Sequence, residues 1–193
     1  MNKTDLSQLT REEFNTLFPV RLVEHDPQWA TIFEKERQLI LANVDYKLLL
    51  RIEHFGSTSI PGIMAKPYVD MIIEIPKEQL FDEDLIEQFK PIGYTHYKVP
   101  AREDIEAYMS FGKGYHLDGR KAQIFHIHMC PAENVMWQQI RFRDYLRSHP
   151  ERARAYESLK LDLAKQYSND RGAYVLGKTE FVRETLKLVM DQR

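Results

Sequence analysis

Apolar and polar positions alternate most regularly in two short stretches of the chain. In YVDMIIEI, residues 68–75, Val69, Met71, Ile73 and Ile75 fall on one side and Tyr68, Asp70, Ile72 and Glu74 on the other. In AQIFHIHMC, residues 122–130, Phe125, Ile127 and Met129 oppose Ile124, His126, His128 and Cys130. A period of two is the signature of a strand, so each stretch predicts a strand with one wholly apolar face for packing and one mixed face able to line a site. KLLLRIEHF predicts a further strand over 48–55. YTHYKVP and AYMSFGKG predict two short ones around a basic, glycine-containing loop.

Elsewhere the period changes to that of helices. Asp26 and Pro27 suit the cap and first position of a helix in which Trp29, Phe33 and Ile40 share a face, with Ile32 and Leu39 beside them. DEDLIEQFK predicts a short helix stopped by Pro91 and Gly93. From about residue 134 the chain reads as helical. Asn134 caps a helix through about Arg147, and Ser148 with Glu151 fits a capping box for a second through about Tyr167. After a loop around Asn169–Gly172, a last helix carries the stripe Phe181, Val182, Leu186 and Val189. Residues 1–19 read as a polar peripheral arm with one short helix, and 20–193 as a single domain.

Composition adds limits. The chain has 193 residues and is 43% hydrophobic, enough for a sizeable core. Lys+Arg 27 against Asp+Glu 29 gives a net charge of −2, so anion affinity must come from a local patch, and a nucleic-acid partner is disfavoured. One cysteine, Cys130, excludes an internal disulfide and a cysteine-based zinc cluster. The first ten residues lack a signal-peptide core, and no apolar run approaches the roughly 18 residues of a membrane span. A cytoplasmic location with no membrane partner is the expectation.

The candidate chemistry lies on the mixed faces and in the basic helices. Gly56-Ser57 closes a strand and opens a turn, where a glycine lets a ligand approach the backbone and Ser57, Thr58 and Ser59 add hydroxyls. Spacing alone favours a plain connecting loop. Asp70, mid-strand among apolar residues, requires a partner: a metal, hydrogen bonds, or a cation such as Lys66. His126 and His128, two apart on one strand face, have Cα atoms about 7 Å apart and can converge on one metal or phosphate. With Asp70 they would make a two-histidine, one-carboxylate set. The alternative is a pair of half-buried histidines bonded to carboxylates. Arg143 and Arg147 share a helix face and can fork onto phosphate oxygens, or pair with Asp144 and Glu151 on a solvated face.

The segments IEHFGSTSIPGIMAKPYVDMIIEI, FHIHM, FRDYLRSHPERARAYESLK and YVLGKTEFV, in that order, resemble the GrpB family, a group related to the nucleotidyltransferase superfamily. The resemblance covers about residues 20–190. It implies an α+β, nucleotidyltransferase-like fold: a mixed sheet of about five strands, helices against one face and a C-terminal helical segment. In that superfamily a Gly-Ser turn holds a triphosphate, an Asp-x-Asp pair on the next strand binds metal, and a later strand supplies a third carboxylate. Gly56 and Ser57 match the turn and Asp70 the first aspartate, but Ile72 stands where the second is expected. Together with the hydroxyl and basic residues read from the chain itself, the phosphate or nucleotide candidates are Gly56, Ser57, Thr58, Lys66, Arg143, Arg147, Lys160 and Lys178. Asp70, His126 and His128 are the catalytic and metal-binding candidates. The cofactor would be a divalent metal (Mg, Mn or Zn), and the ligand a nucleotide or another phosphorylated small molecule. Three readings stay open: nucleotidyl transfer to a small acceptor, a catalytically degenerate module that binds a nucleotide or partner, and a Zn, Mn or Fe enzyme built on Asp70, His126 and His128.

Overall fold

The computed structural model describes residues 8–99, 101 and 106–191. Residue 100 and residues 102–105, part of the basic loop expected between two strands, lie outside the described residues, as do residues 1–7 of the arm.

Five strands form one mixed sheet: β1 (Arg51–Phe55), β2 (Tyr68–Glu74), β3 (Thr95–Val99), β4 (Tyr108–Lys113) and β5 (Ile124–Cys130), in the order β1-β2-β5-β4-β3. β2 and β5 run parallel at the centre, and the other pairings are antiparallel. The α+β architecture expected from the sequence is the one observed. The period-2 split holds on both central strands. Val69, Met71, Ile73, Ile127 and Met129 are fully buried in the main core. There they meet Trp29 and Ile40 of α2 (Gln28–Asn43), Val44 just after it, and Leu85 and Phe89 of α3 (Glu83–Phe89).

β1 is shorter than the apolar run suggests. The Asp45 side chain accepts a hydrogen bond from the Lys47 amide and bends residues 46–48 into a 3-10 turn, so the strand begins at Arg51. α3 starts at its cap Asp82, whose side chain accepts from the Leu85 amide.

The C-terminal segment holds α4 (Gln138–Ser148), α5 (Pro150–Gln166), α6 (Arg171–Leu176) and α7 (Thr179–Asp191). Asn134 does cap, but it caps a 3-10 turn, residues 135–137, that leads into α4. The capping box expected at Ser148 does not form. Ser148 bonds back to the Asp144 and Tyr145 carbonyls, the cap of α5 is His149, and Pro150 supplies the first helical position. Phe181, Val182 and Leu186 of α7 pack against Phe142, Leu146 and Tyr156, as the stripe predicts. The arm holds α1 (Arg11–Leu17), opened by a reciprocal Thr10–Glu13 capping box.

The second face of the sheet is covered only in part. Ile140, with Met136 and Trp137 beside it, packs on Phe55, Ile72 and Cys130. Toward the other end of β2 and β5, Asp70 and His126 are half-buried.

Candidate functional site

Strand register puts Asp70 directly beside His126 across the parallel β2–β5 pair. His126 Nδ1 lies 3.1 Å from Asp70 Oδ1. A carboxylate only accepts, so Nδ1 carries a proton, and in the neutral imidazole Nε2 is left as an acceptor. The hydroxyl of Tyr115 donates to that Nε2. Asp70 and His126 are each about one-quarter exposed on their side chains, at 25% and 22%. The result is a chain of carboxylate, imidazole and phenol that is sheltered yet reachable.

Glycines make this packing feasible. Gly56, at φ +71°, lies against the Asp70 carboxylate, and a Cβ there would overlap Oδ2. Gly114, at φ +88°, backs onto the Gln123 carbonyl where a Cβ would collide, and that turn folds Tyr115 back toward β5. A Cβ on Gly112 would meet the rings of Tyr97 and Tyr115 at 3.2 and 3.3 Å. Tyr115 then stacks on His126 at 5.7 Å and 22°.

Burial works against ionisation of Asp70, but the hydrogen bond from His126, the charge that ring carries when protonated and the Lys66 charge outweigh it and hold the carboxyl below its ordinary value. Burial pushes the Tyr115 phenol up, with the Arg171 charge opposing, so the hydroxyl keeps its proton.

A cavity of ≈ 310 Å³ opens beside the chain, lined by Phe14, Tyr97, Ser110, Gly112, Tyr115, His126, His128 and Arg171 among others. Its walls are mostly aromatic and its polar groups few, the usual make-up of a small-molecule site. Arg171 stands at its edge, donating to Tyr68 Oη at 3.0 Å and lying 5.2 Å above the rings of both Phe14 and Tyr68.

Beyond Arg171 the cations accumulate. Lys66 Nζ lies over Tyr68 and Tyr174 at 5.0 and 5.8 Å, and Lys178 Nζ over the same Tyr174 at 4.7 Å. Lys160, 1% exposed, donates to the Met64 carbonyl and lies 5.0 Å over Tyr156. Among the described residues no carboxylate is within ion-pair distance of Lys66, Lys160, Lys178 or Arg171. The carboxylates whose charge reaches Lys66 and Lys160 also accept other hydrogen bonds. Asp70 holds His126, and Glu157 accepts from the Met64 amide. Burial and the neighbouring Arg171 and Lys178 charges lower Lys66 to about 7, and burial with Lys178 lowers Lys160 to about 7.

The other candidates fall elsewhere. Thr58 is buried, donates to the Tyr68 carbonyl at 2.9 Å and receives the His54 ring, so its hydroxyl locks the loop. Gly56 and Ser57 face a cavity of only ≈ 30 Å³ against Phe142, Arg143 and Tyr156, about the room of one water. Arg143, 7% exposed, donates to Glu53, Asp144 and the His54 carbonyl, and ties α4 to β1. Arg147 donates to the Ser59 carbonyl at 2.9 Å. Both arginines brace the Gly-Ser loop from behind, on its α4 side.

His128 sits between Tyr108, stacked at 5.2 Å, and Phe55, edge-on at 5.2 Å. Burial lowers it to about 4, so it is neutral at pH 7, and its Nδ1 has no hydrogen-bond partner among the described residues. Asp70, His126 and His128 therefore do not form a ready donor set. Both nitrogens of His126 are taken, Ile72 is fully buried where a second carboxylate would stand, and no group of three His, Cys, Asp or Glu among the described residues is arranged to hold a metal. These residues do not fit a two-metal centre.

Tyr115 and Arg171, central to the geometry, were not among the residues singled out from the sequence. Each stands beside a glycine, Tyr115 in the KGYH loop and Arg171 in DRGAY at the start of α6, and that juxtaposition is the signal they carry.

A family model described as GrpB protein matches residues 19–188. The UPF0157 protein YqkA of Bacillus subtilis is 36% identical over 86% of this chain, which spans 47% of that protein's length. The glutamate-rich protein GrpB of Alkalihalophilus pseudofirmus is 35% identical over 86% of this chain and 94% of its own. A dephospho-CoA kinase of Mycolicibacterium paratuberculosis is 26% identical over 90% of this chain and 46% of its own. The crystal structure of the conserved protein GrpB from Enterococcus faecalis superimposes with a TM-score of 0.72 at 27% identity, covering 89% of this chain and 98% of that one. Among the described residues no helix is long and apolar enough to cross a membrane. On the extent of these matches, and on the motifs that first suggested it, the chain belongs to the GrpB family.

Proposed function

We propose that the protein binds a nucleotide, or a similarly phosphorylated small molecule, and transfers its nucleotidyl group. The ring system occupies the aromatic cavity, the phosphates lie along Arg171, Lys66 and Lys178, and His126, oriented by Asp70, is the base. The observation that carries this reading is a group of cations, next to an Asp–His pair, that have no salt-bridge partner among the described residues. Sheltered ammonium groups without anionic partners are costly, and a phosphate chain supplies the missing charge. Similarity to a protein named as a kinase is in keeping with a phosphorylated ligand. A second reading, binding without turnover, is favoured by Ile72, whose buried side chain takes the place of a second carboxylate.

The lysines give the proposal a proton signature. Lys66 and Lys160, at about 7 in the free protein against an ordinary 10.5, are mostly neutral at pH 8. A bound phosphate favours the ammonium form, so binding at pH 8 takes up protons, measured by calorimetry in buffers of differing ionisation heat. Without ligand, the unfolded chain binds more protons than the folded one between about pH 7 and 10.5, so stability rises with pH through that window. Added pyrophosphate should flatten that slope. A pH-independent affinity from 6 to 8.5 with no proton uptake contradicts the assignment of these lysines.

A further inference from the structure

We propose that Tyr115 is a covalent nucleophile that accepts the nucleotidyl group of a nucleoside triphosphate. The inference rests on the nucleotide reading above and specifies its reaction. Three groups stand in the order nucleophile, base and orienter: Tyr115 Oη donates to His126 Nε2, and His126 Nδ1 donates to Asp70 at 3.1 Å. That order is the logic of an activated hydroxyl, with a phenol where other enzymes use serine. Two further observations aim the phenol at phosphorus. Tyr115 lines the aromatic cavity, and Arg171 lines the same cavity beside it.

Position selects the phosphorus attacked. A nucleoside filling the aromatic cavity leaves its α-phosphate nearest Tyr115. The β- and γ-phosphates then extend past Arg171 toward Lys66 and Lys178 over Tyr174. In the step, Tyr115 Oη forms a bond to the α-phosphorus and the bond from that phosphorus to the bridging oxygen breaks. The phenolic proton passes to His126 Nε2, Asp70 balances the imidazolium, and pyrophosphate leaves onto the lysines. Because burial keeps the phenol protonated at rest, proton transfer to His126 accompanies attack rather than preceding it.

The full chain is incubated with ATP, GTP, CTP or UTP and MgCl2, and followed by intact-mass and peptide mass spectrometry with a pyrophosphate assay. The expected result is a gain of one nucleoside monophosphate on Tyr115 with release of one pyrophosphate per chain. Tyr115→Phe, which keeps the ring, should bind the triphosphate within about twofold of the parent and take no label. His126→Gln should slow labelling by ~100-fold, the usual worth of a positioned base. Binding without label, or label persisting in Tyr115→Phe, overturns this inference and leaves the nucleotide site standing. Absence of binding by any of the four overturns both.

Discussion

Replacing Gly56 by alanine is expected to destabilise the fold by about 3 kcal/mol and to abolish nucleotide binding. Gly56 sits at φ +71° and ψ −177°, a conformation essentially restricted to glycine, and forcing another residue there costs on the order of 1–3 kcal/mol. The new methyl would also overlap the Asp70 carboxylate, which has nowhere to retreat while it holds His126. Either the end of β1 moves or Asp70 turns away from His126, and both disorder the same site. Urea unfolding reads the first effect and calorimetric titration with a triphosphate the second. A variant with parent stability and parent affinity would show that the close approach of Gly56 to Asp70 has no role.

Ile72→Asp has the other large expected effect. It restores the carboxylate pattern of the nucleotidyltransferase superfamily, yet it should not restore a metal centre. Ile72 is fully buried among Phe55, Cys130 and Ile140. Truncating a buried isoleucine alone costs about 2–5 kcal/mol, and an unpaired carboxylate in that cluster adds several more. The variant should therefore lose cooperative unfolding or fail to remain soluble, with or without Mg²⁺ or Mn²⁺. Ile72→Val, as the control, should cost about 0.5–1.5 kcal/mol and leave nucleotide affinity unchanged. A folded Ile72→Asp whose melting temperature rises with added divalent metal would show that the position belongs to a metal site.

Much of the scaffold was legible because it depends on local periodicity. The alternation in 68–75 and 124–130 marks the two central strands and assigns Asp70 and His126 to one face, where they meet. The stripe of α7 is equally direct. Boundaries were less so: Asp45 shortens β1, and Ser148 prefers carbonyls behind it to a capping box ahead. The site was legible only where side chains lie on regular elements. Lys66, Lys160 and Lys178 were candidates by residue type alone, and no spacing in the sequence joins them, because they come from a loop, from α5 and from the turn before α7. Arg143 and Arg147, the pair whose spacing best suited a phosphate, are instead committed to the strand and loop carbonyls beside them. Tyr115 reaches the site through a glycine-bearing loop and Arg171 from the first position of a six-residue helix, and neither place has a period to read.

The central claim is that Lys66 and Lys178, beside Asp70 and His126, hold the phosphates of a ligand. Calorimetric titration of the chain and of a Lys66→Ala/Lys178→Ala variant with ATP, GTP, CTP or UTP, at low ionic strength and pH 6.5, tests it most directly. The account predicts saturable binding at one site per chain, weakened at least ~100-fold in the double variant, since each of the two lost charge-assisted contacts is worth roughly 1.5 kcal/mol or more. No saturable binding in the parent chain, or equal affinity in the folded variant, would contradict it.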